Sequence, residues 1–195
     1  RAVWNRSSRQ ILERIRDIET SLAFEIEGFD CDNGTEFLNH SLYRYFRDRV
    51  SPVEFTRSRP YRKNDNAHVE QKQWTHVRQL LGYARMDNRR LVAAINDLYC
   101  HEYRALQNFF LPSMKLLSKS REGSRLRRRH EKPRTPYERL MESPKVSVED
   151  KAQLRREFES LDPFALREAI ERKLRNIFRL VRKQDQTTEN PLRAA

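Results

Sequence analysis

The sequence predicts an α/β layer structure continued by a basic, mainly helical region. Three observations predict it. Segments of helical period alternate with two short apolar runs of strand character between Ser8 and Leu81. The 195 residues include four glycines and eight prolines, too few for the many tight turns of an all-β fold. Beyond Pro112, apolar periodicity gives way to a stretch, Lys115 to Arg134, with nine Lys and Arg against two Glu.

Each element follows from its own signals. Ser7 to Gln10 reads as an S-x-x-Q capping box. Ile11, Ile15, Ile18 and Leu22 follow at helical spacing, so a helix runs from Ser8 to Leu22. Phe24 to Cys31 is short, apolar and partly alternating, ends in Asp-Asn-Gly, and reads as a strand with a tight turn. Glu36 to Arg49 is helical, with Leu38, Leu42, Tyr45 and Phe46 on one side, and Pro52 stops it. Val53 to Arg57 is a second strand, and Ser58 to Asn66 is a polar basic loop. Ala67 to Leu81 is helical through Val69, Val77, Leu80 and Leu81. A long helix spans Asn88 to Phe110, with Leu91, Val92, Ile95, Leu98, Tyr99, Leu106 and Phe109 apolar. The basic stretch reads as exposed, with room for short strands. Thr135-Pro136-Tyr137-Glu138 combines a cap, a first-turn proline and a capping-box Glu. Ser147 to Leu161 and Pro163 to Gln184 are the last helices, and the tail from Thr187 is expected to fray.

Two strands are marginal as a sheet by themselves. The chain begins with Arg1, so the expectation is that further strands precede it. The organisation expected is a core over residues 1–112 and a basic segment with C-terminal helices over residues 113–195.

Hydrophobic residues make up 37% of the chain and charged residues 35%, so much of the surface is solvated helix. The formal net charge is +12, from 40 Lys and Arg against 28 Asp and Glu. That excess favours a polyanionic partner, nucleic acid before membrane. No apolar run approaches the roughly 20 residues that cross a bilayer, and no signal peptide is visible. Cys31 and Cys100 match no metal or redox spacing and read as reduced thiols of a cytosolic protein.

Two segments carry the candidate chemistry: Phe29 to Phe37, containing Asp32-Asn33-Gly34-Thr35-Glu36, and Ser58 to Lys72, containing Glu70. Asp32 sits at a strand's C-terminal end, and Glu70 in the first turn of a helix with 37 residues between them. Strand ends and helix starts at one edge of an α/β sheet are where such folds place ligands. Asn33 and Gly34 serve the turn after Asp32, with Gly34 supplying backbone freedom. Asp30 reads as a polar strand-end residue, Glu36 as a favourable charge in a helix's first turn, and Asp65 as part of the loop or helix start. His68 reads as a loop residue rather than a general base. Trp74, four residues after Glu70, reads as a packing aromatic rather than a base-stacking one.

In residue type, order and spacing, these two segments resemble the second half of the catalytic core of integrase-type insertion-sequence transposases, the bacterial DDE enzymes similar to retroviral integrases. The resemblance implies an incomplete ribonuclease-H-like core. It implies that Asp32 and Glu70 are the second and third catalytic acids and the ligands of Mg2+ or Mn2+. The family's first Asp lies on an earlier strand, upstream of Arg1. Asp17, on the flank of a helical stripe, is a poor substitute, so the fragment is expected to be inactive by itself. Phosphodiester cleavage and strand transfer pass through an anionic transition state, which two divalent ions about 3.5–4 Å apart can stabilise.

The implied partners are DNA, as transposon ends and target, and further copies of the chain on that DNA. The implied setting is the bacterial cytoplasm, at the nucleoid. Arg59, Arg62, Lys63 and Lys72 would grip phosphates beside the acids, and Arg125, Arg127, Arg128 and Arg129 would do so in the basic stretch. The residues equally admit a catalytically dead DNA-binding remnant of a transposase gene.

Overall fold

Ser7 opens the first helix, α1 (Ser8–Glu19), by accepting a hydrogen bond from the Gln10 amide at 3.3 Å. The structure, a computed structural model, describes residues 1–32, 34, 36–37, 39–59 and 63–188. The expected capping box is only half formed. The Ser7 amide donates to the Asn5 side chain at 3.1 Å, while the Gln10 side-chain Oε1 accepts from the Asn5 backbone amide at 3.4 Å. Thr20 ends α1 before the predicted Leu22, and Ser21 and Leu22 continue in turns.

Strand β1 (Gly28–Cys31) is shorter than predicted because β2 (Glu54–Arg57) lies along only those four residues. The pair is parallel, in the register Gly28–Glu54 to Cys31–Arg57. A parallel pair needs a crossover, and α2 (His40–Arg47) lies between the two strands in sequence. Asn39 caps α2 by accepting from the Leu42 amide at 2.9 Å. Leu38, predicted on this helix, lies outside the described residues.

One face of the strand pair carries the cross-strand partners Phe29 and Phe55. Their rings stack at 5.5 Å, and Phe46 of α2 meets Phe29 at 4.9 Å. Ile15, Leu42, Phe46 and Val53 form the buried centre of this cluster. Tyr45 closes one flank, donating its hydroxyl to Glu19, which also binds Arg49 at 2.7 Å.

After β2 the chain forms a 3-10 turn (Lys63–Asn66), α3 (Ala67–Gln73), a π-helical turn (Trp74–Arg78) and α4 (Gln79–Leu81). The predicted single helix over 67–81 is thus interrupted. A π turn adds a residue per turn, which shifts the apolar phase. Leu81 is buried while Val69 and Val77 are exposed.

The predicted helix over 88–110 is also broken. After α5 (Arg89–Cys100), His101 takes the non-helical angles φ −112° and ψ −94°, followed by α6 (Glu102–Ala105) and a π turn over Leu106–Phe110.

The chain divides into two compact units, one of Arg1–Asn96 with the chain from Leu174 onward, the other of Asp97–Lys173. Besides the cluster above, the first unit buries Leu81, Leu91, Ile95, Ile177 and Val181.

The second unit buries Leu98, Tyr103, Phe109, Val146 and Ile170. Tyr137 stacks on Phe158 at 4.8 Å, and Phe109 meets Tyr137 at 5.3 Å. Its basic stretch is an antiparallel hairpin, β3 (Leu116–Glu122) and β4 (Arg125–His130). Gly123 starts the two-residue turn with φ +62°, the left-handed conformation such turns require. Thr135 forms the predicted capping box with Glu138 at α7 (Pro136–Glu142), through bonds of 2.7 and 3.1 Å. The helices α8 (Val148–Glu159) and α9 (Pro163–Thr188) complete the elements. Among the described residues no helix is long and apolar enough to cross a membrane.

Candidate functional site

Asp32 follows the last residue of β1, and Ser58 follows the last residue of β2. The buried Ser58 donates its amide to the Cys31 carbonyl at 3.0 Å, so both chains leave the sheet at one edge. Asp32 is half-buried and fixed locally, its Oδ1 accepting from the Gly34 amide at 2.9 Å. That bond leaves the second carboxylate oxygen for another partner.

Gly34 has a role the sequence reading did not assign. Its φ lies outside the left-handed region. A Cβ placed there would stand 2.9 Å from Asp32 Oδ1 and 2.9 Å from the Glu36 carboxyl group. The two carboxyl groups therefore both border that one point, within twice that distance of each other. Glu36 precedes α2 and does not supply charge to its first turn. That expectation is corrected because the helix starts only at the Asn39 cap. The Glu36 side chain is largely buried and faces the exposed Arg6 guanidinium at 3.7 Å. The sequence signal for this pairing was the Asp-x-Gly-x-Glu spacing, with the one residue lacking a side chain in the middle.

Glu70 lies in the first turn of α3 and is exposed, as is Lys72. Between β2 and α3 the chain is clasped. Arg59 donates to Asp65 from its backbone amide at 3.1 Å and from its guanidinium at 2.8 and 3.0 Å. These bonds hold the Asp65 carboxyl down at about 2. The first partner of Arg59 is thus a carboxylate of its own loop, and Asp65 acts at the helix start. The clasp ties the start of α3 back to the end of β2, whose register partner is β1.

Asp30 is exposed and accepts from Thr56 Oγ1, its cross-strand partner, at 2.9 Å. Arg62 lies outside the described residues, as do the side chains of Lys63 and His68. Asp17 pairs with Arg1 at 2.6 Å. Trp74 is 51% exposed, which corrects its assignment as a packing aromatic. A π turn begins at this residue. Arg125, Arg127, Arg128 and Arg129 are all exposed on β4. Among the described residues, no group of three or more His, Cys, Asp or Glu side chains is gathered as a metal site.

Cys31 is buried beside this edge, with its Sγ on the Thr56 carbonyl at 3.7 Å. Burial, with the charges of Asp32 and Asp30, pushes its thiol up to about 11. At pH 8 only roughly one Cys31 in a thousand is a thiolate, the form that alkylates. Iodoacetamide should therefore label the half-buried Cys100 at least about tenfold faster than Cys31 in the native chain. Peptide mapping checks this, and preferential labelling of Cys31 would show that its side chain is not enclosed.

Over 137 residues the chain is 37% identical to a protein of Sinorhizobium fredii named "Uncharacterized protein y4rM". The alignment covers 70% of this chain and 38% of that protein. No family model matches the chain, and no solved structure matches it.

Proposed function

We propose that residues 1–112 are the second half of a ribonuclease-H-like core of an integrase-type transposase, acting in metal-dependent DNA cleavage and strand transfer. The observation that carries this reading is the placement of two acids. Asp32 directly follows one strand of a parallel pair, and Glu70 lies in the first turn of the helix after the other strand, whose connecting loop is clasped at its base.

The donor chemistry fits a hard cation. Asp32 and Glu70 offer carboxylate oxygens, the ligands Mg2+ and Mn2+ prefer, and Asp32 keeps one oxygen outside its turn bond. When bound, such an ion activates an attacking oxygen and stabilises the leaving one. The chain's own residues supply position and charge. The Gly34 amide fixes the Asp32 carboxylate in one orientation. The clasp sets where α3 starts and hence where Glu70 stands. Lys72, two residues on, adds an exposed cation to the same helix. On this reading DNA is the substrate and several copies act on paired ends.

Iron-directed cleavage tests the reading. Fe2+ with ascorbate and peroxide cuts a polypeptide next to the residues that hold the ion. We expect cuts near both Asp32 and Glu70, suppressed by Mg2+, with both lost in Asp32→Asn and in Glu70→Gln. Cuts near Glu70 that survive Asp32→Asn would mean that the two acids hold no common ion, and the reading falls.

A further inference from the structure

Every residue of the hairpin from Leu116 to His130 is exposed. The stretch carries six Lys and Arg against one Glu. Directly opposed residues of an antiparallel pair share a face, and faces alternate along each strand. The register therefore sorts the charges. Ser118 opposes Arg129, Ser120 opposes Arg127 and Glu122 opposes Arg125 on one face. Lys119 opposes Arg128 and Arg121 opposes Leu126 on the other.

The first face is thus a row of three arginines from a single strand, with small serines across from Arg127 and Arg129 and with Glu122 across from Arg125, its carboxylate also pairing with Arg127 at 3.1 Å. Alternate residues of a strand repeat every ~6.8 Å, twice the ~3.4 Å axial step between phosphates on one DNA strand. Two paired strands lie about 5 Å apart, and a ribbon of that width enters the roughly 12 Å major groove of B-DNA.

The composition decides between polyanions. The hairpin has no Phe, Tyr or Trp, so it has no platform for the base stacking on which single-strand binders rely. The arginine face has no apolar residue to form the dry centre of a protein interface. A duplex fits both facts. We infer that the hairpin is a duplex-DNA-holding arm whose Arg125, Arg127 and Arg129 track the phosphate backbone without sequence preference. The inference rests on the DNA-binding part of the reading above and is independent of its carboxylate chemistry.

The test uses the full chain in EDTA, with two unrelated labelled 30-base-pair duplexes read by anisotropy across a salt series. Two exposed triple variants lose equal charge: Arg125→Ser/Arg127→Ser/Arg129→Ser and Lys119→Ser/Arg121→Ser/Arg128→Ser. The first should lower the log–log salt slope by about 2.7, three contacts at roughly 0.9 each, equally on both duplexes. The second should lower it by less than about 1. Equal loss from both triples would reduce the hairpin to bulk charge and overturn the inference. So would unchanged binding in the first triple, preferential binding of a single strand, or displacement of DNA by polyglutamate at equal charge. Because EDTA removes divalent ions, these results stand whether or not the iron cuts appear.

Discussion

Phe46→Ala is expected to destabilise the first unit by about 3–5 kcal/mol, the usual cost of emptying a buried aromatic site. Phe46 is 0% exposed, and its ring lies 4.9 Å from Phe29, 5.5 Å from Tyr45 and 6.2 Å from Phe55. Those neighbours come from both strands and from α2 itself, so no single element can move in to fill the gap. The Phe46 carbonyl also accepts the Val53 amide at 3.1 Å, coupling the ring's position to the start of β2. Urea denaturation followed by far-UV circular dichroism measures the change. Phe164→Ala, at a site 79% exposed, is the control and should stay within about 0.5 kcal/mol. If the two variants have the same midpoint, Phe46 is not the centre of the unit. Docking of β1 depends on this ring through Phe29, so Phe46→Ala should also blur the iron cuts near Asp32.

Gly34→Ala should act in the opposite manner, costing less than about 1 kcal/mol of stability while weakening divalent-ion binding at least about tenfold. The added Cβ would meet Asp32 Oδ1 and the Glu36 carboxyl group, both at 2.9 Å. Those atoms are the far ends of side chains rather than backbone, so the fold survives their displacement, but Asp32 leaves its fixed orientation. Mn2+ titration by electron paramagnetic resonance gives the affinity. Adding Glu36→Ala relieves one of the two contacts and should restore part of the binding. Unchanged Mn2+ affinity in Gly34→Ala would show that the orientation of Asp32 does not matter to the ion.

Much of the first unit was legible because its signals are local. The Ser7 cap, the two strands and the apolar stripes through Ile15 on α1 and through Leu42 and Phe46 on α2 each depend on residues near in sequence, as does the Thr135 cap in the second unit. The helix interruptions were not legible. An apolar pattern from Asn88 to Phe110 looks continuous because His101, an ordinary helix residue by propensity, departs only in its backbone angles. The π turn at Trp74 shifts the phase of the residues after it, and a fixed period of 3.6 reads straight through such a shift. The basic hairpin was only half visible. Arg127, Arg128 and Arg129 mask the period-two alternation that identifies a strand, because both faces carry cations. At the candidate site, the position of Asp32 after a strand and of Glu70 in the first turn of a helix was legible. The approach of Glu36 to Asp32 was not, since it depends on where α2 begins.

The parallel pair of Gly28–Cys31 and Glu54–Arg57 uses only one flank of each backbone. Among the described residues no further strand joins it. The outer flanks are rows of amide donors and carbonyl acceptors, which hydrogen-bond to water unless another extended segment takes its place. Those rows fit a further extended segment, which would lengthen the sheet through main-chain hydrogen bonds.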